Sequence, residues 1–417
     1  MTIWREMTGD RANVKCESYK MKSGNMIKRN IVLPLMLAIA TAMQAQGAMA
    51  DVLAMIERNN STLAAAQKQA EADKIGNKTG IYLDAPEIGY NYLLGSPGEI
   101  GKRHDISVSQ SFDLATLSGK RNRVADGQNA LVDCSVRSER MGILLEAKLL
   151  LVDVVYYNNA LRQLAERYKD ALELKENGKR MLDAGECSLM DYNNVQLSCQ
   201  AMEADMLKMK ADRQQALLEL ARLNGGEPVA FESIDYGEAA LEPDFSVWYG
   251  SVESRLPDMV YAMGDIEMSQ RQLSLAKSEG LPSVSLGYMS EKTKAEHFQG
   301  VSLGVSVPLW SNKNRVRHAR ASVMAAEARR DDKEVQLRSQ LQMLHARVLS
   351  LGQVADVCSK AADQYDRSLL QRALDAGEIS KIDFFLQSAA YYDMVDKAMA
   401  AAHEYQTALA QLTAADL

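Results

Sequence analysis

The sequence predicts a mostly α-helical chain carrying transmembrane β-strands, with a helix–strand–strand–long helix–return helix unit written twice. Three observations predict this. "LDAGECSLMDY" (182–192) returns as "LDAGEISKIDF" (374–384), with seven of eleven positions identical at an offset of 192. Prolines at 34, 86, 97, 228, 243, 257, 282 and 308 leave 98–227 and 309–417 free of them, and both tracts are rich in Leu, Ala, Glu, Lys, Gln and Met. Those residues favour helix. Before each tract stand two short segments of alternating apolar and polar residues, the pattern of a strand with unlike faces.

Residues 1–25 are polar and read as an upstream extension. Residues 26–50, "MIKRNIVLPLMLAIATAMQAQGAMA", read as a secretory signal peptide. They hold a basic start at Lys28 and Arg29, an apolar centre too short to span a bilayer, and small residues at the end. Cleavage near Ala45 or after Ala50 fits the pattern, and export beyond the inner membrane follows. No cysteine sits just after the apolar run, so no N-terminal lipid anchor is expected.

The first repeat covers 51–223. A lead-in helix is expected over about 51–80, then strands over about 86–95 and 104–114. The second repeat covers 245–417, with a lead-in helix over about 245–280 and strands over about 282–291 and 300–310. In "VSLGVSVPLW", Val301, Leu303, Val305 and Val307 point one way and Ser302, Gly304, Ser306 and Pro308 the other. Nine to eleven residues suit a tilted membrane-spanning strand, and an apolar face opposite a Ser/Gly/Asn face suits lipid outside and water inside. Each strand pair leads into a helix of about 93–97 Å, matched by a return helix and a lead-in helix that together span about 100 Å. A Gly/Pro-bearing connector, 224–244, joins the halves.

The repeated stretch has a physical reading of its own. Gly185 and Gly377 suit a left-handed helix C-terminus. Ser188 and Ser380 suit an N-cap, with Asp191 and Asp383 three residues later as in a capping box. A turn alone does not require Leu-Asp-Ala and Glu to recur, which argues for a shared external role.

Net charge is −7, with no basic stripe among aromatics, so a nucleic-acid partner is disfavoured. The five cysteines form neither a disulfide ladder nor a metal pair, and the five histidines are scattered. Met202, Met206 and Met209 recur at i, i+4 and i+7, the spacing of a packing stripe. No phosphate loop or nucleophile elbow occurs, so neither an enzyme, a cofactor nor a metal site is expected. Four strands cannot close a transmembrane barrel, since open edges in lipid leave backbone groups unpaired. Two copies supply eight strands and three supply twelve.

This order, with "LPSVSLGY" leading into "VSLGVSVPLW" and the two "AGExSxxD" stretches, resembles the TolC-like outer-membrane efflux protein family over about 51–417. The resemblance implies a homotrimer whose twelve-stranded barrel sits in outer-membrane lipid above a periplasmic helical tunnel. It implies a passive channel of a tripartite efflux system, with a periplasmic adaptor protein and an inner-membrane pump as partners. The adaptor would dock on tips formed by Ala184, Gly185, Glu186, Ser188 and Asp191, and by Ala376, Gly377, Glu378, Ser380 and Asp383. Asp383 would form a gate ring of carboxylates. The family's frequent second carboxylate, three residues on, is Leu386 here. The alternative is a periplasmic coiled-coil scaffold without a pore, which leaves the paired strands unexplained.

Overall fold

The computed structural model describes residues 48–98, 101–237, 241–310, 312–364 and 367–417, with the side chains of 367, 368, 381, 382 and 386 left aside. The expected upstream extension and nearly all of the signal segment lie outside these residues. Its last three positions open the first helix, α1 (48–59).

The same order of elements is read twice. The first half runs α1, α2 (Ser61–Gly76), β1 (Glu87–Leu94), β2 (Lys102–Phe112), the short α3 (Leu114–Leu117), α4 (Lys120–Asp183) and α5 (Leu189–Leu223). The second runs α6 (Phe245–Val252), α7 (Pro257–Ser278), β3 (Ser283–Lys292), β4 (His297–Ser306), α8 (Arg315–Gln364), α9 (Arg367–Asp375) and α10 (Lys381–Leu412). With 64 residues, α4 is about 96 Å long. No described helix is long and apolar enough to cross a membrane.

Both lead-in helices differ from expectation, for each is broken in two. Asn60 breaks the first: its side chain accepts from Leu63 N and donates to Leu223 O at 2.8 Å. The amide therefore caps α2 and ties it to the end of α5. In the second half a 3₁₀ turn at Glu253–Arg255 precedes Pro257, which opens α7 at the one helical position where a missing N–H costs nothing. The expected β4 also shifts, beginning at His297 and ending at Ser306. Pro308 cannot donate to a ladder, so the chain leaves the sheet ahead of it.

The core lies at these breaks. Ile56 from α1 packs with Leu151, Val154 and Val155 of α4 and Leu220 of α5, all fully buried. Trp248 of α6 fills the corresponding place with Val348 of α8 and Leu409 of α10. The halves interlock, with α4 packed against α7 and α10 as well as α5. His403 bonds Asp153 at 2.7 Å across that seam.

The strands form one antiparallel sheet in the order β1-β2-β3-β4. Its register places Ile88, Val108, Tyr288 and Val301 in one row across all four strands. Leu286 and Leu303 lie in the next row of that face, and all six side chains are exposed. On the other face, Ser109, Gly287 and Ser302 stand side by side. A Cβ on Gly287 would lie 2.6 Å from Ser302 Oγ and 2.7 Å from Val108 O. That face is therefore crowded with the smallest side chains. Exposure along β2 alternates accordingly, with His104, Ile106 and Val108 exposed and Arg103, Asp105 and Ser107 less so. The sheet is apolar on its more exposed face and Gly/Ser-rich at the centre of the other.

Leu151→Ala is expected to destabilise the helical region by about 2–5 kcal/mol, because a fully buried side chain leaves a cavity between three helices. Thermal loss of the helical circular dichroism signal measures it.

Candidate functional site

The two helical hairpin ends are the site that the repeated stretch predicts. At the end of α4, Gly185 takes φ +76°, its N–H donates to Leu182 O at 3.1 Å, and Glu186 N donates to Met181 O at 2.8 Å. At the end of α9, Gly377 takes φ +73°, its N–H donates to Leu374 O at 3.0 Å, and Glu378 N donates to Ala373 O at 2.9 Å. Both are complete Schellman closures, in which the left-handed residue lets two N–H groups satisfy carbonyls the helix would otherwise leave open.

The chain then re-enters helix at a serine. Ser188 Oγ accepts from Asp191 N at 3.1 Å and donates to the Asp191 carboxylate at 2.6 Å. Ser380 Oγ accepts from Asp383 N at 3.1 Å and donates to the Asp383 carboxylate at 2.7 Å. The Asp383 carboxylate also accepts from Ser380 N at 3.2 Å, completing a capping box. Both turns are thus fixed by bonds that run only from Met181 to Asp191 and from Ala373 to Asp383, which is why a short stretch of sequence sufficed to predict them.

Ala184, Gly185, Glu186 and Ser188 are exposed, as are Ala376, Gly377, Glu378, Ser380 and Asp383; Asp191 is half-buried. Nothing lies within 4 Å of a Cβ built on Gly185 or Gly377, so both loops stand clear of the rest of the chain. The Leu386 side chain lies outside the described residues.

What joins the two hairpins was not predicted. Arg167 of α4 is 5% exposed and grips Asp396 of α10 through two bonds of 2.7 and 2.8 Å. Its guanidinium lies 4.3 Å from the centroid of the Tyr392 ring. Nearer the tips, Phe385 of α10 packs against Leu174, Val195 and Cys199 of the first hairpin. Met202 sits against the same cluster, as its spacing suggested. A cavity of about 480 Å3 opens between α4, α9 and α10, lined by Asp170, Glu173, Asp375 and Phe384 among others. Residues 167 and 396 are 229 positions apart, and no local spacing links them.

Among the described residues, no group of three or more His, Cys, Asp or Glu side chains is placed to hold a metal ion. The four described cysteines, 134, 187, 199 and 358, are free thiols. Burial between α4 and α5 raises the pKa of Cys199, which makes it a poor nucleophile.

Ser380→Ala is expected to cost about 1 kcal/mol at the first turn of α10. Hydrogen exchange at the Asp383 amide should then quicken about fivefold.

No protein-family model matches the chain, and no curated protein matches it in sequence. Solved structures do match in shape. CusC, described as a transmembrane channel, superposes with a TM-score of 0.70 at 14% identity, over 88% of this chain and 92% of its own. The CmeC outer-membrane channel of Campylobacter jejuni gives a TM-score of 0.66 at 14% identity, over 99% and 93%. The open state of the MtrE outer-membrane channel of Neisseria gonorrhoeae gives 0.64 at 14% identity, over 88% and 88%. The chain has the fold of these membrane channels, the fold its two tips and paired strands announce.

Proposed function

We propose that the chain is the outer-membrane channel of a tripartite efflux system. It is a passive homotrimeric duct that docks a periplasmic adaptor at its helical tips and, through it, an inner-membrane pump. The observation that carries this reading is the sheet: four strands, an exposed apolar face, and two edges, β1 and β4, with no partner strand among the described residues. Lipid satisfies an apolar face but not an open edge, and only closure against further strands does that. Joining β4 of each copy to β1 of the next gives twelve strands in a trimer, with the Gly/Ser face inside as a polar lumen. The likeness to outer-membrane channels supports the same arrangement. A pore-free scaffold has no use for the exposed apolar face.

The two halves are read as products of one duplicated unit, each ending in a docking tip. Both tips are exposed, stiffly closed and nearly identical in sequence, which suits a repeated adaptor surface. The duct carries no catalytic chemistry, and the pump supplies the energy. Asp383, three times over in the trimer, is the carboxylate placed to ring the tunnel end. Its capping bonds hold it at the tip and leave it exposed to solvent.

The purified mature chain is expected to require detergent and to run as a trimer with a helix-dominated circular dichroism spectrum. A monomer soluble in plain buffer overturns the reading. In planar bilayers, Asp383→Asn is expected to weaken cation selectivity and block by multivalent cations, because a carboxylate ring attracts both. Asp191→Asn should do so less. Equal and negligible effects leave Asp383 with its capping role alone.

A further inference from the structure

Charge in the sheet is sorted by face. All three carboxylates of the strands, Glu87, Asp105 and Glu291, fall on the Gly/Ser face by register. Arg103 shares that face and is neutralised there, 2.7 Å from Asp105 and 2.9 Å from Glu291. The apolar face carries Lys102, His104, Lys292 and His297 and, among the strand residues, no carboxylate.

These basic residues are also sorted by height. Tyr92, His104, Lys292 and His297 form one row across the four strands at the end away from the helices. Three strand spacings make that row about 14 Å wide. The next row, Tyr90, Ile106, Ser290 and Gln299, is mixed, and below it the face is apolar, Gln110 apart, down to Val284, about 26 Å along β3 from Lys292. The row is braced: Tyr90 Oη bonds His104 Nδ1 at 2.8 Å, Ser290 Oγ bonds His297 Nε2 at 2.9 Å, and the Lys102 ammonium stands 5.7 Å from the Tyr92 ring centroid. Among the described residues, no carboxylate forms an ion pair with Lys102 or Lys292.

The geometry points to this row as a binding surface for anionic phosphate headgroups of outer-leaflet lipid. The assignment rests on the outer-membrane reading of the sheet. Two ammonium groups, two imidazoles and two phenols per chain offer hydrogen-bond donors within three adjacent rows, from Lys102 through His104 to Tyr90, above an apolar band that acyl chains would cover. Lysine stems lie along the apolar surface while their heads reach the headgroup layer. Phosphate, with several charged oxygens, accepts from neighbouring strands at once.

The test uses the full chain in neutral maltoside detergent, titrated with fluorescent phosphatidic acid and with the same labelled diacylglycerol lacking the phosphate. Phosphatidic acid is expected to bind more tightly. Lys102→Gln with Lys292→Gln should weaken it about fivefold per lysine, about 25-fold together. Lys102→Arg with Lys292→Arg should keep the affinity, which separates charge from folding. A molar excess of inorganic phosphate over lipid should not displace the lipid. Equal binding of the two lipids overturns the proposal, as does an unchanged Kd in the Gln pair or loss of binding in the Arg pair. Displacement by inorganic phosphate makes the row a free-anion site and overturns the lipid assignment. Bilayer conductance of the same preparations keeps the two readings apart. A conducting chain indifferent to the phosphate loses only this assignment, whereas a chain that neither needs detergent nor conducts loses the duct as well.

Discussion

In the proposed duct, backbone groups along the outer edges of β1 and β4 must find partners in other copies, because a bilayer offers them no water. Much of the molecule suits that constraint. The face turned inward carries glycine and serine at its centre, and the approach of Ser302 Oγ and Val108 O to Gly287 shows how little room remains there. Behind the sheet, the helical region interlocks the two halves through α4, α7, α8 and α10.

The helical region solves a related problem at the other end. A helix end leaves carbonyls or N–H groups open, and each tip closes both kinds within a few residues. Gly185 and Gly377 turn the chain so that Glu186 and Glu378 can donate back into the helix. Ser188 and Ser380 then cap the return helices. A loop so satisfied needs no support from the rest of the protein, and so it can project freely. The same local closure means that an aspartate serving as cap is held in place for any further role.

How far the sequence could be read follows from the range of each interaction. Strand parity and the tips depend on neighbours two to five residues apart, and both were legible. The breaks at Asn60 and Pro257 were not seen, although the proline was in plain view. Asn60 looks like any helix-surface amide until Leu223, 163 residues away, takes its second hydrogen bond. The bond between Arg167 and Asp396 is of the same kind: one end is buried, and the partner lies on another helix of the other half. The end of β4 was misplaced because the alternation runs on through Val307 after the hydrogen bonding has stopped. Face chemistry and ladder pairing are separate signals, and only the first is written as a periodicity.

The seam between the halves also has a kinetic side. Asp153 waits for His403, Lys148 for Thr413 and Arg167 for Asp396, at sequence separations of 250, 265 and 229 residues. Loops of that size close slowly, and their contacts reward the chain only after the entropy of closure has been met. The middle of α4, although early in the sequence, is therefore completed last. Until α10 arrives it exposes an unfinished flank.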